Sequence, residues 1–296
     1  MFFGILAGFF SAFLQSTSYV FSRRFVLKHH DPGRLVVCSQ AVMCLFGLIT
    51  LAATLPFVQI PVTGEFFTLL AVFVAASNIG YFCFFRALHE IEASRLSSLL
   101  GLKIVVLAIV SVTLLHQPLH GLQYLAVLLS AVAAVGMNFT GGPLTRRGCL
   151  FLLLTLLSYA AADLVETRMI QLLPGDRLFL NSIAVTGVAF TALGAVSSLA
   201  FFRIKCSRAC LIDAVPYAVA WYLAMIFLFA SFGAIGVLFG NIIQASRGLI
   251  SVLLGVLLLK AGLDQLEPRV GAKAWIRRTI MAVLMLAAMT LYSLAK

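Results

Sequence analysis

The chain has 296 residues, of which 62% are hydrophobic and only 10% charged, and its mean hydropathy is +1.09. A water-soluble domain usually carries about a quarter charged residues, so these figures exclude a soluble fold and leave a bilayer as the solvent. The net charge of +11 would point to nucleic acid in a soluble protein. Here the cations sit in short stretches between apolar runs, where membrane topology and anionic headgroups account for them; membrane lipids are expected partners and nucleic acid is not.

Helix is the expected form, because a spanning segment in lipid must satisfy its own backbone polar groups, and the alternating ~10-residue segments of a membrane barrel are absent. Apolar runs of roughly 20 residues, the length that crosses a bilayer core, predict ten spans: 3–22, 35–55, 66–85, 94–115, 121–139, 149–167, 178–201, 214–231, 235–259 and 279–295. No basic region precedes the first, which begins Met1-Phe2-Phe3-Gly4 and stays apolar to Ser22, so it reads as a retained helix and not a cleaved signal. The prolines (Pro32, Pro56, Pro61, Pro118, Pro143, Pro174, Pro216 and Pro268) fall mostly in or beside the connections, where they break no ladder. Cys38, Cys44, Cys83 and Cys149 lie within apolar runs and read as small hydrophobes. Cys206 and Cys210 stand four apart in a basic loop, but no His or second Cys pair in the sequence completes a metal or disulfide site around them.

The chain repeats itself. At an offset of 144 residues Gly4 falls on Gly148, Arg24 on Arg168, Phe57 on Phe201, Phe85 on Phe229, Ile91 on Ile235, Lys103 on Arg247, Val112 on Val256 and Leu114 on Leu258, with no gap from the first span to the end of the fourth. The paired cations carry more weight than the apolar identities, since charges inside spans are rare. Five spans per copy is an odd number, so the second copy inserts upside down. The expected fold is an all-α integral membrane protein of ten transmembrane helices in two inverted five-helix repeats, 1–144 and 145–296, forming one integrated domain. The connections after odd-numbered spans hold sixteen of the 21 Lys and Arg residues. Positive residues mark cytoplasmic loops, so this count puts both termini outside.

Two cations fall mid-span. Lys103 follows Ser97-Ser98-Leu99-Leu100-Gly101-Leu102 in span four, and Arg247 sits in Asn241-Ile242-Ile243-Gln244-Ala245-Ser246-Arg247-Gly248 of span nine. A central cation costs about 2.5 to 3.5 kcal/mol on insertion scales, so it should face a wet cavity or a partner. Neither span holds a carboxylate, which favours the cavity over a structural ion pair. Related by the pseudo-axis, the two would converge near the midplane and hold a carboxylate or phosphate, with Arg247 able to engage two oxygens. Gln244 shares a helix face with Arg247, and Asn241 lies a turn back. Asp163 and Glu166 share a face of span six, either as a proton relay or as partners of Arg168. Arg24 and Arg168 read as interfacial anchors. Gln15, Tyr19, Asn78, Tyr159, Trp221 and Tyr222 are expected cavity lining, with packing the alternative for the aromatics. Gly236-Val237-Leu238-Phe239-Gly240 fits close helix packing. No Walker loop, His-Glu-x-x-His, Gly-x-Ser-x-Gly or spaced Cys/His set is present, so neither an enzyme nor a cofactor is expected, and this chain alone cannot drive transport with ATP.

With its repeat, the chain resembles the drug/metabolite transporter superfamily, specifically the EamA-type ten-helix members. The resemblance covers nearly the whole chain. It is carried in the first copy by Phe85-Arg86-Ala87-Leu88-His89-Glu90-Ile91-Glu92-Ala93-Ser94 leading into span four and by Leu115-His116-Gln117-Pro118-Leu119-His120-Gly121 after it. The family usually has a Glu where this chain has Gln117 and often an Arg where it has Gln40. Its sugar-phosphate translocator branch holds phosphate with cations on spans four and nine, which Lys103 and Arg247 match in position and type. The resemblance implies an N-terminus in the cytoplasm, opposite to the charge count. It also implies a multi-pass protein of a cell membrane, in a bacterium the inner one. The expected function is a secondary transporter of a small anionic or zwitterionic metabolite. The alternatives are an exporter of amino acids or drug-like amphiphiles, and a lipid-linked flippase subunit or non-transporting membrane partner.

Overall fold

The computed structural model describes residues 1–88, 90–91, 96, 99–114, 116, 118–137, 145–175, 177–199, 204, 206–260 and 272–295. All regular structure among them is helical. The chain runs through α1 (Phe2–His29), α2 (Pro32–Thr54), α3 (Gly64–Leu88), a 3-10 turn (Leu100–Leu102) leading into α4 (Lys103–Thr113), α5 (Gly121–Met137) and α6 (Arg146–Leu172). It continues through α7 (Leu178–Ser198), α8 (Arg208–Ile235), α9 (Val237–Gln244), α10 (Arg247–Lys260) and α11 (Ala272–Leu294). The ten expected spans fall on these helices, with the 3-10 turn and α4 making one span and α9 and α10 another. The start of span four, the resemblance motif from His89 onward except Glu90 and Ile91, and Gln117 lie outside the described residues.

Among the described residues six helices are long and apolar enough to cross a membrane: α1, α2, Gly64–Phe84 within α3, α6, α7 and α8. Shorter apolar helices cover Leu100–Thr113, Gly121–Gly136 and Thr279–Leu294. Several helices outrun the hydrocarbon. The 28 residues of α1 or α8 extend about 42 Å at 1.5 Å per residue, against a core of about 30 Å. Thus Arg23, Arg24 and Lys28, expected in a connection, occupy the last turns of α1, and Pro216 lies inside α8 near its start.

The helix ends follow local chemistry. His30 closes α1 in the left-handed region (φ 54°), its N–H reaching Val26 O at 2.8 Å. Asp31 then caps α2, accepting from the N–H groups of Gly33 (2.9 Å) and Arg34 (3.2 Å), with Pro32 at the first helical position. Thr145 Oγ1 accepts from Gly148 N at 3.0 Å at the start of α6, and Ser207 Oγ from Cys210 N at 3.2 Å at the start of α8. Gly236 separates α8 from α9 at φ 87°, a backbone conformation that side chains rarely adopt. The Gly236-x-x-x-Gly240 pattern therefore begins at a helix junction.

Burial is inverted relative to a soluble protein. Phe10, Leu45, Ile49, Phe82 and Ile109 are exposed, whereas Ser11, Gln15, Ser18, Thr155 and Thr186 are buried. Buried hydroxyls bond back onto their own helices, Ser16 to Ala12 O (2.8 Å) and Thr155 to Phe151 O (2.7 Å).

The chain divides into two compact units. The first comprises Met1–Asn78 and Ala161–Ile235, the second Ile79–Ala160 and Gly236–Lys296, so each draws on both halves of the sequence, and α3 and α6 contribute to both. In the first unit α1 packs along α8, α2 along α7 and α8, and α7 on α8. In the second, α5 packs on α4 and α11, and α9 on α4 and α11.

The α2–α7 crossing rests on small residues. A Cβ on Gly47 would stand 2.6 Å from Thr191 Oγ1 and 2.7 Å from Gly187 O, and one on Gly194 2.5 Å from Gln40 O. Backbone cannot yield as a side-chain end can. We expect Gly47→Leu and Gly194→Leu to cost about 1–3 kcal/mol or more and to lower the apparent melting temperature in detergent. Gly64→Ala, whose Cβ would meet nothing within 4 Å, should melt as wild type. Unchanged melting of both leucine variants would show the helices to be further apart.

Candidate functional site

The residues expected to form one site divide between the two units. Lys103, Asn241, Gln244, Arg247 and Tyr159 belong to the second; Gln15, Tyr19, Asn78, Asp163, Glu166 and Tyr222 belong to the first.

In the second unit both mid-span cations stand where a helix restarts. Leu100–Leu102 is a 3-10 turn, and Lys103 is the first residue of α4, its N–H directed at Gly101 O and Leu100 O. At the 144-residue offset that turn corresponds to 244–246, and α9 indeed stops at Gln244 while α10 begins at Arg247. The link is wound as tightly: Ser246 N bonds Ile243 O at 3.0 Å and Gly248 N bonds Ala245 O at 3.2 Å. Three-residue hydrogen bonds keep the backbone satisfied through both interruptions. Lys103 and Arg247 are each half-buried, and each has polar partners. On α9, Asn241 and Gln244 are buried, with Asn241 Nδ2 donating to Val237 O at 3.0 Å. The Ser246 hydroxyl is buried without a hydrogen-bond partner. Because α9 packs directly on α4, the helix that carries Asn241 and Gln244 neighbours the one that carries Lys103. Tyr159 on α6 meets Tyr81 edge-on, with ring centroids 6.0 Å apart, and lies over Gly80.

The first unit holds a buried polar chain. Glu166 is fully buried; Thr186 Oγ1 on α7 donates to its Oε1 at 3.4 Å, and its Oε2 has no hydrogen-bond partner. It lies within electrostatic reach of Asp163 on its own helix and of Tyr222 on α8. The Tyr222 hydroxyl shares a 2.5 Å hydrogen bond with Thr50 Oγ1 on α2, and its ring packs against Phe46 and Phe190. Gln15 on α1 is also buried and polar-bonded. Five helices thus deliver buried polar groups to this unit.

Arg168 takes another course. Its Nε and Nη2 donate to Glu65 Oε1 on α3 at 3.1 and 2.9 Å, an exposed pair that contributes little to stability. Tyr19 meets the Trp221 ring edge-on, and Tyr217 stacks on that indole, so Tyr19 and Trp221 belong to a packing cluster. Asn78 donates to Val74 O at 2.9 Å and accepts from Ser197 Oγ at 3.4 Å. Sequence reasoning passed over Thr50 and Thr186; each is a hydroxyl inside an otherwise apolar span, the same signal that singled out Gln15 and Asn78.

Removing one partner of a buried hydrogen bond strands the other, which costs about 1–3 kcal/mol. Tyr222→Phe and Thr50→Val should each destabilise the protein in detergent, and the double variant should lose less than the two single losses added together. Strict additivity would show that the two hydroxyls are not coupled.

Known proteins resemble the chain in sequence and in fold. Residues 2–139 match the model of the EamA-like transporter family, whereas no curated protein matches the chain in sequence. Among 27 solved chains that match, a crystal structure described only as that of a protein superposes with a TM-score of 0.70 over 98% of this chain and 96% of its own, at 15% identity. That likeness shows a shared fold. The chain is therefore a multi-pass integral membrane protein, helical in all regular structure among its described residues, whose residues 2–139 match an EamA-like domain model of the drug/metabolite transporter superfamily.

Proposed function

We propose that the chain is a secondary transporter that moves a small anionic or zwitterionic metabolite by alternating access. The observation that carries this reading is the pair of helix interruptions 144 residues apart, each restarting on a cation, Lys103 and Arg247. Broken helices at membrane depth are tolerated only where they are buried in protein or line a cavity, and in transporters they build the substrate site. A helix start adds its own positive end to the side-chain charge, so both positions favour an anionic group. Lys103 and Arg247 would hold its carboxylate or phosphate, and Asn241 and Gln244 would hold its neutral polar groups. Two copies of a five-span unit inserted in opposite directions generate this pairing, with the charge count placing both termini outside the membrane.

Glu166 and Asp163 are the candidates for proton coupling. A carboxyl that is fully buried, with one oxygen on a threonine and the other without a partner, can change its proton load only by changing its surroundings. Such linkage between protonation and conformation is what proton-driven transport requires.

The test is uptake by the purified protein in proteoliposomes against a panel of carboxylated and phosphorylated metabolites, after a thermal-shift screen for compounds that stabilise it. Loss of a charge-assisted hydrogen bond worth about 1.5–3 kcal/mol should raise the half-saturation concentration about 10- to 150-fold in Lys103→Ala and Arg247→Ala, and less in Arg247→Lys. Uptake of every transported anion unchanged in both alanine variants would overturn the site. Transport of cations or neutral amphiphiles alone would favour the exporter reading. Glu166→Gln should retain substrate binding while uptake loses its response to an imposed pH gradient; a variant that keeps the full response would remove Glu166 from coupling.

A further inference from the structure

Outside the transport residues, the fold gathers a set of groups that the sequence keeps far apart. Cys38 on α2, Cys206 just ahead of α8, and Cys210 in its first turn lie in one cluster with Phe25 and Leu35. All three are free thiols; Cys38 and Cys210 are buried, and Cys206 is partly exposed. The partner groups missing around Cys206 and Cys210 in the linear sequence are supplied by α1 and α2, as His29 and Cys38.

Their contacts are not equivalent. Ser207 Oγ donates to Cys210 Sγ at 3.3 Å, and His29 Nδ1 lies 3.5 Å from the same sulfur. The other ring nitrogen, His29 Nε2, lies 2.7 Å from Asp213 Oδ2, which also pairs with Lys28 Nζ at 2.7 Å. Cys210 is therefore engaged on its polar side. Cys206 packs against the same cluster that holds Cys38, and the two side chains interact. Among the described residues no three His, Cys, Asp or Glu side chains are arranged to hold a metal ion, so coordination does not account for the cluster.

We propose that Cys38 and Cys206 form a reversible redox pair that closes a disulfide between α2 and the start of α8 when a hydroperoxide reaches the partly exposed Cys206. In the first step the Cys206 sulfur attacks the peroxide. The O–O bond breaks, Cys206 becomes a sulfenic acid, and the peroxide leaves as an alcohol or, from hydrogen peroxide, as water. In the second step the Cys38 sulfur attacks the sulfenic sulfur. The S–O bond breaks, the S–S bond forms, and water departs with the Cys38 proton. Two thiols are oxidised by two electrons in total and one peroxide is reduced, and a low-molecular-weight dithiol reverses the change. Because α2 packs along α8 in the same unit, the bond would tie together two helices that also share the Thr50–Tyr222 hydrogen bond. This inference is independent of which compound the protein moves.

The experiment uses the purified full-length protein in detergent, treated with hydrogen peroxide, denatured, alkylated with maleimide and weighed. With six cysteines in the chain, the reduced protein should take six adducts and the oxidised protein four, returning to six after dithiothreitol. Peptide mapping under non-reducing conditions should give the Cys38–Cys206 linked pair. Cys38→Ser and Cys206→Ser should abolish it, whereas Cys210→Ser should retain it. Wild-type mapping decides the question even if Cys38→Ser fails to fold. No loss of adducts, a Cys206–Cys210 link, or stoichiometric zinc in the protein as purified would each overturn the proposal.

Discussion

Everything in this chain depends on how a backbone is satisfied where there is no water. An unbroken helix solves the problem for most of the spans. Two interruptions among the described residues, Leu100–Leu102 and the link between α9 and α10, keep their amides bonded by tightening to three-residue hydrogen bonds. An interruption that is chemically repaired in this way is stable, yet it turns carbonyls and amides out of the helix axis and sets the next side chain at a helix start. Lys103 and Arg247 occupy those positions. Charge and broken backbone thus arrive together, and each helps to explain the cost of the other.

The same constraint shapes the polar interior of the first unit. Hydroxyls of Ser16, Ser18 and Ser182 bond carbonyls of their own helices. Thr50, Thr186, Tyr222 and Glu166 instead act between helices, linking α2 to α8 and α7 to α6. In lipid, association has no hydrophobic drive, so close approach at glycine and interhelical hydrogen bonds must supply it. Gly47, Gly187 and Gly194 furnish the first at the α2–α7 crossing, and the threonines furnish the second.

Much of the architecture was legible in the residues. Spans and helical class follow from hydropathy and proline placement, because lipid permits few alternatives, and the family resemblance follows from the repeat and its motifs. The cation pair was visible too, since Lys103 and Arg247 stand out against apolar neighbours. Their position at helix restarts was not, because Ala245 and Ser246 carry no helix-breaking chemistry and the interruption depends on tertiary packing. Helix ends were misjudged for a simpler reason: α1 and α8 continue past the apolar runs that announced them, and charged residues such as Arg24 and Lys28 are good helix formers in water. The partnership of Arg168 with Glu65, across 103 residues of sequence, and the meeting of Cys38 with Cys206 had no local signature at all.

Finally, α1 and α2 are separated only by His30 and Asp31, with a left-handed residue closing one helix and a side chain capping the next. A joint so short has no slack. While the chain is being synthesised, the two helices cannot choose their directions separately; they must enter the bilayer as a single hairpin, with the orientation of the second decided by the first. Arg23, Arg24, Lys28 and Arg34 all lie around that bend. Whatever orients one helix of the pair by that cluster of charge therefore orients the other.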